Sequence, residues 1–343
     1  PRAEHQVEVL RALSELRGRV PGNPFPILCG TSAGAINATA LAVFADNYNI
    51  AVRKLIRIWR NFHVGDVYRA ETLDFLRTGL RWGGALTFGW LLRQTPRSLL
   101  DNQPLADLLS HVYDFSAIGR AIESGHLRAL SVSVSSYRSG ESRVFFQGRS
   151  ELHGWQRVQR TGMRTELDVR HLLASSAIPF VFPAVNINGE YFGDGSMRQL
   201  APISPAIHLG ADRVLIIGAG RRPFEGSEGN CDGASDGSDY PSLAQIAGHA
   251  MSSIFLDGLS SDLDRLQRTN KALERFTAQQ RGQAGVRLRP IETLVIEPSR
   301  PLDALAWEHR RALPLTMRML LRGVGAMNSG GATLLSYLLF ESD

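Results

Sequence analysis

The sequence contains little cysteine, little lysine and no long apolar run. Its 343 residues include only two cysteines, Cys29 and Cys231, which is too few for a disulfide framework and favours a reducing compartment. No hydrophobic stretch reaches the roughly 18 residues that a membrane-spanning helix needs, and the first residues show no signal-peptide pattern. We therefore expect a cytoplasmic protein without a membrane-spanning helix.

Arginine carries almost all of the positive charge, since Lys54 and Lys271 are the only lysines. Lysine and arginine together number 38 against 33 acidic residues, a formal charge of +5. Such a balance is typical of proteins that bind nucleic acid, an anionic membrane surface or an acidic substrate. The basic residues are dispersed and no nucleic-acid-binding motif is present, so we expect no nucleic-acid partner. No zinc-ligand spacing occurs, so no metal site is expected.

Strand-like and helix-like patterns alternate along the chain, which is typical of an α/β fold. Asn188-Gly189 lies between two strand-like runs and predicts a hairpin over 185–192. Apolar runs and apolar–polar alternation predict strands at 25–29, 127–135, 143–147, 214–217 and 292–296. Helical spacing of apolar residues covers 4–18, 49–62, 71–80, 103–123 and 242–280.

A G-x-S-x-G pattern, Gly30-Thr31-Ser32-Ala33-Gly34, lies between a predicted strand and a helix rich in small residues. A nucleophilic serine needs such a sharp strand-to-helix turn, because the turn exposes its hydroxyl and the helix N-terminus can stabilise an oxyanion. Ser32 is therefore the candidate nucleophile, and a glycine-rich turn or phosphate-binding turn is the alternative. Only 31 residues precede Ser32, which argues against the usual Ser-Asp-His α/β-hydrolase order.

Asp194 is the candidate base. It lies between Gly193 and Gly195, directly after the predicted hairpin, in a tight turn that can direct a carboxylate out of the sheet edge. Burial in an apolar cleft would make the carboxylate more basic than an ordinary aspartate. The alternative is a turn aspartate that hydrogen-bonds to its own backbone. A histidine base such as His208 is the rival within hydrolases.

Together these residues resemble the patatin-like phospholipase family, of the bacterial type. The resemblance covers roughly residues 1–220 and includes the nucleophile elbow Gly30–Gly34, Asp194-Gly195 and the stretch from Ala174 to Val185. It implies a three-layer α/β/α fold with a mostly parallel central sheet and extra C-terminal helices. It also implies hydrolysis of lipid acyl esters, of the phospholipase A or lysophospholipase type, by a Ser32–Asp194 dyad without a cofactor.

The sequence departs from this family at two points. Family members have a glycine-rich oxyanion loop just before an arginine, and Arg2 looks like the end of that loop, whose glycines are absent. We therefore expect the sequence to be incomplete at its N-terminus. Ser196 stands where the family commonly has glycine, and this change leaves Asp194-Gly195 intact.

The predicted organisation is a catalytic domain over 1–220, a flexible loop over 221–240 and a mainly helical part over 241–343 that packs on the same core. The apolar C-terminal runs at 313–321 and 332–340 are expected to pack on this core, with a homodimer as the alternative. Two other functions stay open. One is acyl transfer or thioester hydrolysis by the same dyad, and the other is a catalytically dead, membrane-associated regulatory protein.

An aromatic segment flanked by arginines, residues 77–97, is too short to cross a bilayer. Trp82, Phe88 and Trp90 are the predicted membrane-contact residues, and the neighbouring arginines favour an anionic surface. Peripheral association with the inner membrane follows from this interpretation. The alternative is a buried insertion or a cap over the active site.

Replacing Trp82 and Trp90 together by alanine should weaken cosedimentation with anionic liposomes by about tenfold or more, since burying one large apolar side chain contributes roughly 1.5–3 kcal/mol. Trp155→Ala, outside this segment, is the control. Unchanged cosedimentation of the double variant would show that the segment does not contact lipid.

Overall fold

The computed structural model describes residues 2–18, 20–61, 98, 100–218, 243–277, 280, 288–300, 302–310, 318 and 322. Several predicted features therefore lie outside the described residues. They are the helix at 71–80, the membrane-contact residues Trp82, Phe88 and Trp90, the loop at 221–240 and most of the two C-terminal apolar runs.

Helices and strands alternate, which confirms the predicted α/β class. The described helices are α1 (Arg2–Arg17), α2 (Ala33–Val43), α3 (Tyr48–Arg60), α4 (Gln103–Val112), α5 (Ser116–Glu123), α6 (Val169–Ser175), α7 (Ser204–His208), α8 (Leu243–Leu273) and α9 (Leu302–Glu308). The strands are β1 (Ile27–Thr31), β2 (Ala129–Ser136), β3 (Ser142–Gly148), β4 (Trp155–Arg157), β5 (Arg160–Arg164), β6 (Val185–Ile187), β7 (Glu190–Asp194), β8 (Arg213–Ile217) and β9 (Glu292–Ile296).

Seven strands form one sheet, and β8 and β9 form a second, parallel pair. In the large sheet β1 pairs with β2 and β3 with β5 in parallel, whereas the other described ladders are antiparallel. The sheet is thus more mixed than the mostly parallel one that the resemblance implies. Short connections are the reason for three of the four antiparallel ladders, β2–β3, β4–β5 and β6–β7, because neighbouring strands joined by a few residues pair antiparallel. The predicted hairpin is one of them, and Asn188 and Gly189 have the positive φ of its turn.

β2 is the central strand, and all eight of its residues are buried. Its alternation of apolar residues with serine predicts one buried face, but the structure buries both. Leu130, Val132 and Val134 belong to the main core. Ser131 and Ser133 on the other face are also buried, because that face is covered as well: Ala129, which shares it, packs in a second buried cluster with Phe146 and Leu209.

One edge of β2 is shared by two strands that run towards each other. β1 pairs with its first part, ending at Thr31 opposite Ser133. β7 pairs antiparallel with the last part of β2, and the final residue of β7, Asp194, lies opposite Val134. Since Ser133 and Val134 are adjacent, the carboxyl ends of β1 and β7 meet at one point of the sheet.

No helix within the described ranges is both long enough and apolar enough to cross a bilayer.

Candidate active site

Ser32 forms a strained turn between β1 and α2. Its backbone has φ 54° and ψ −129°, a sparsely populated region that costs on the order of 1–3 kcal/mol. As the N-cap residue of α2 it makes no side-chain capping bond, although capping is the usual role of serine there. The residue is partly exposed, so its hydroxyl is available for other interactions.

The glycines of this motif differ in their steric role. A Cβ at Gly30 would lie 2.4 Å from the carbonyl oxygen of Gly34 and from the Cα of Ala35, which leaves no room for a side chain. A Cβ at Gly34 would meet only the Gln6 amide, at 3.6 Å. Gly30 is therefore required for the turn, whereas Gly34 is not required by packing in the described part of the chain.

Asp194, at the end of β7, is fully buried. Its Oδ1 accepts a hydrogen bond of 2.9 Å from the Ser196 amide, and its own amide donates to the Ala177 carbonyl at 3.0 Å. A Cβ at Gly195 would lie 2.2 Å from the Ser133 carbonyl oxygen, so glycine is needed where the chain turns against β2. The turn therefore fixes the carboxylate inside the protein.

The Ser32 side chain lies close enough to the Asp194 carboxyl to affect its pKa. Removal from water raises the pKa of Asp194 to about 6, although hydrogen bonds from the Ser196 amide and from the side chains of Ser32 and Ser196 lower it. Among the described residues, Asp194 Oδ2 has no hydrogen bond of standard geometry. The Ser32 side chain is therefore near this carboxyl without a hydrogen bond of standard geometry between them.

Tyr137, just beyond β2, borders this carboxyl. A Cβ at Gly193 would lie 2.5 Å from the Tyr137 hydroxyl, so the phenol packs directly on that glycine. Burial raises the pKa of Tyr137, and the negative charge of Asp194 raises it further. The Tyr137 ring is half exposed and thus forms part of the surface next to the site.

Two side-chain contacts hold the turns around Ser32 and Asp194. The Ser175 hydroxyl, in α6, accepts from the Ser32 amide at 2.8 Å and donates to the Ser133 carbonyl at 2.7 Å. Gln199 Nε2, after the turn that follows Asp194, donates to Thr31 Oγ1 at 2.7 Å. The second contact joins the residue before Ser32 to the segment after Asp194.

No histidine in the part of the chain described here hydrogen-bonds to Ser32 or Asp194. The His208 ring stacks on Trp155, with centroids 4.7 Å apart, and its Nδ1 bonds to the Ser204 carbonyl. His171 is paired with Asp168 in the N-terminal cap of α6. A carboxylate is therefore the only general base that the described geometry brings to Ser32.

A cavity of about 260 Å³ separates β1 from β8, and neither Ser32 nor Asp194 lines it. Cys29 is accessible because it lines this cavity. The surrounding protein nevertheless raises the pKa of its thiol to about 11. A protonated thiol is a poor nucleophile, so Cys29 does not compete with Ser32.

The structure brings together most of the site residues expected from the sequence: Ser32, Asp194, Gly30, Gly193 and Gly195. Arg2 begins α1, and its role at the end of an oxyanion loop stays a prediction. Sequence reasoning missed the contacts of Ser175, Gln199 and Tyr137. A single serine in a short helix carries no signal of its own, and the link from Thr31 to Gln199 spans 168 residues.

An α/β sheet with a strand–turn–helix serine next to a buried carboxyl defines a class of protein, one built like a serine hydrolase. A sequence model of the family described as Patatin-like phospholipase matches residues 2–207, well over half of the chain. The chain belongs to the patatin-like phospholipase family. This membership supports lipid acyl hydrolase activity in general terms.

No individual curated protein matches the chain.

Replacement by alanine should affect stability differently at Gly30 and at Gly34. Gly30→Ala should lower the free energy of unfolding by about 3 kcal/mol or more, because the new methyl group overlaps backbone atoms. Gly34→Ala should leave stability unchanged or raise it by up to about 1 kcal/mol, because alanine favours the helix. Urea unfolding measures both. Equal losses in the two variants would contradict the steric account.

Asp194→Asn should stabilise the protein at alkaline pH. The folded-state pKa of Asp194, about 6, exceeds its usual value of about 3.9, so folding favours the protonated form. Its favourable contribution is complete below about pH 4 and is lost as the pH rises through about 6. The variant should therefore gain about 3 kcal/mol over wild type at pH 8 relative to pH 4.

Urea unfolding at the two pH values tests this expectation, and Asp46→Asn, at an exposed position, controls for the loss of one negative charge. A gain that does not change with pH would mean that Asp194 is ionised without cost in the folded protein.

Proposed function

We propose that this protein hydrolyses acyl esters of membrane lipids, with phospholipids or lysophospholipids as substrates. Ser32 is the nucleophile and Asp194 the general base of a catalytic dyad. The observation that carries the proposal is the fully buried Asp194 carboxyl at the end of β7, which meets the strand-to-helix turn of Ser32 at the edge of β2. The family membership supports the same reaction class.

In the first half of the reaction Ser32 Oγ bonds to the ester carbonyl carbon while its proton passes to Asp194. The tetrahedral intermediate then breaks the bond to the alcohol oxygen, which takes the proton from Asp194. A carboxylate with a pKa of about 6 suits this exchange better than an ordinary one, because it binds the proton more strongly and remains ionised near neutral pH. The products are the released alcohol and an acylated Ser32.

In the second half water attacks the acyl-serine and gives its proton to Asp194. Collapse of the second intermediate returns this proton to Ser32 Oγ and releases the fatty acid. The same carboxyl thus serves as base and then as acid in each half, which is the exchange that covalent catalysis by a serine requires. No other titratable group is needed.

The N-terminus of α2 supports the developing oxyanion. Ala33 and Gly34 are its first two residues, and their amides have no acceptor within the helix. These amides and the positive end of the helix dipole favour negative charge at this point. A loop ending at Arg2, as the sequence predicts, would add further donors near α2.

The substrate is presented at a membrane surface. The net charge of +5 favours an anionic surface over a neutral one, and the predicted contact residues Trp82, Phe88 and Trp90 would hold the protein there as a peripheral protein. The water-poor interface would also keep the buried Asp194 carboxyl away from bulk solvent during the reaction.

A fluorophosphonate probe should label the protein at Ser32, and the protein should release fatty acid from phospholipid vesicles. Ser32→Ala should abolish labelling. Asp194→Asn should lower the turnover number by about 10³-fold or more, in the upper range for loss of a general base together with its charge. Ser176→Ala is the control, because the hydroxyl of Ser176 has no hydrogen-bond partner in the structure as described.

Several outcomes would contradict the proposal. Labelling that survives Ser32→Ala would remove Ser32 as nucleophile, and near-normal turnover of Asp194→Asn would remove Asp194 as base. A protein that labels but prefers an alcohol acceptor over water would be an acyltransferase. A protein that binds vesicles without labelling or turnover would be a regulatory protein.

A further inference from the structure

We propose that Ser175 is a positioning residue that holds the nucleophile turn in its reactive conformation. The inference rests on the proposed function of Ser32. Ser175 ends α6 and is fully buried. Its hydroxyl accepts from the Ser32 amide at 2.8 Å and donates to the Ser133 carbonyl at 2.7 Å. One side chain thus connects the turn to the central strand.

The Ser175 hydroxyl is inserted into the ladder between β1 and β2. Thr31 is paired with Ser133 in a parallel register, and in such a ladder the next amide, that of Ser32, is the natural partner of the Ser133 carbonyl. The structure places a hydroxyl between these two groups instead. β1 therefore separates from β2 at Ser32, where the backbone takes its positive φ of 54°.

The segment that carries Ser175 also holds Asp194. Two residues further on, the Ala177 carbonyl accepts the Asp194 amide at 3.0 Å. α6 is fixed at its other end by a capping box between Asp168 and His171. Ser175 and Ala177 therefore contact both strands that meet at the edge of β2, and they set the position of Ser32 relative to Asp194.

The contact with Ser175 also determines which backbone amides of the turn can bind an oxyanion. Because the Ser32 amide is bound to Ser175, it is not free to bind an oxyanion, and this task falls to the next residues, Ala33 and Gly34. Without the hydroxyl, the strained turn loses the hydrogen bond that satisfies the Ser32 amide. We expect the Ser32 backbone to relax and its hydroxyl to move away from the Asp194 carboxyl.

Loss of the Ser175 hydroxyl should therefore slow the reaction without weakening substrate binding. Ser175→Ala should lower kcat by about 100-fold, as expected for a nucleophile displaced by about 1 Å, and should leave KM nearly unchanged. The rate constant for fluorophosphonate labelling should fall by a similar factor. The final extent of labelling should stay complete, because every molecule is still folded.

If Ser175 were needed only for folding, Ser175→Ala would give the opposite result. A smaller fraction of the protein would be labelled, and that fraction would react at the normal rate. Ser176→Ala, the same change one residue later, is the matched control and should behave as wild type. Since alanine at a fully buried site can impair folding, Ser175→Thr and Ser175→Val form a second pair of equal size. Only the threonine variant, which keeps a hydroxyl, should retain most of the labelling rate.

The proposal is overturned if Ser175→Ala labels as fast as Ser176→Ala, or if the threonine and valine variants label at the same rate. Failure of the proposed function would look different, because labelling would then persist in Ser32→Ala whatever residue occupies position 175.

Discussion

The position of the two proposed catalytic residues, Ser32 and Asp194, depends on which strands pair with which part of the β2 edge. β1 occupies the part up to Ser133 and β7 the part from Val134, and the two strands run in opposite directions. Their carboxyl ends therefore meet between two adjacent residues of a strand that is buried along its whole length. Strands bonded to a common rigid partner hold their ends more accurately than loops do. The strained turn at Ser32 and the tight turn after Asp194 are what this meeting requires.

The same arrangement lowers the stability of the folded protein in two ways. The Ser32 backbone is held in a conformation that costs on the order of 1–3 kcal/mol, and the buried carboxyl opposes folding at alkaline pH, where it must be ionised without water. Hydrogen bonds around the site offset the backbone strain and the cost of the buried charge. Ser175 bonds to the Ser32 amide and Ala177 to the Asp194 amide. Gln199 links Thr31 to the turn that follows Asp194. The proposed reactivity and the stability of the fold thus depend on the same few residues. A change that relaxes the Ser32 turn should raise stability at the expense of reactivity.

Local patterns predicted the elements of this site well. β1, the Asn188-Gly189 hairpin and the small-residue helix after Ser32 all form as the sequence indicates, since turn chemistry and apolar runs act within a few residues. Patterns failed where the outcome depends on distant neighbours. The alternating serines of β2 predict a solvent-facing side, yet other elements pack on that face and bury it. The strands β4 and β5 and the helix α6, of three, five and seven residues, are too short for a periodic signal. The contacts of Ser175 and Gln199 connect residues 143 and 168 positions apart, which no spacing rule can foresee.

The central claim is that a buried Asp194 carboxyl interacts with the Ser32 hydroxyl. Carbon-13 NMR titration of the Asp194 carboxyl, in wild type and in Ser32→Ala, measures this most directly. This interaction predicts a pKa of about 6 in wild type and a higher pKa in the variant, because the Ser32 hydroxyl that favours the charged form is lost. A wild-type pKa near the usual value of about 3.9, or a pKa that does not respond to the loss of the Ser32 hydroxyl, would contradict it.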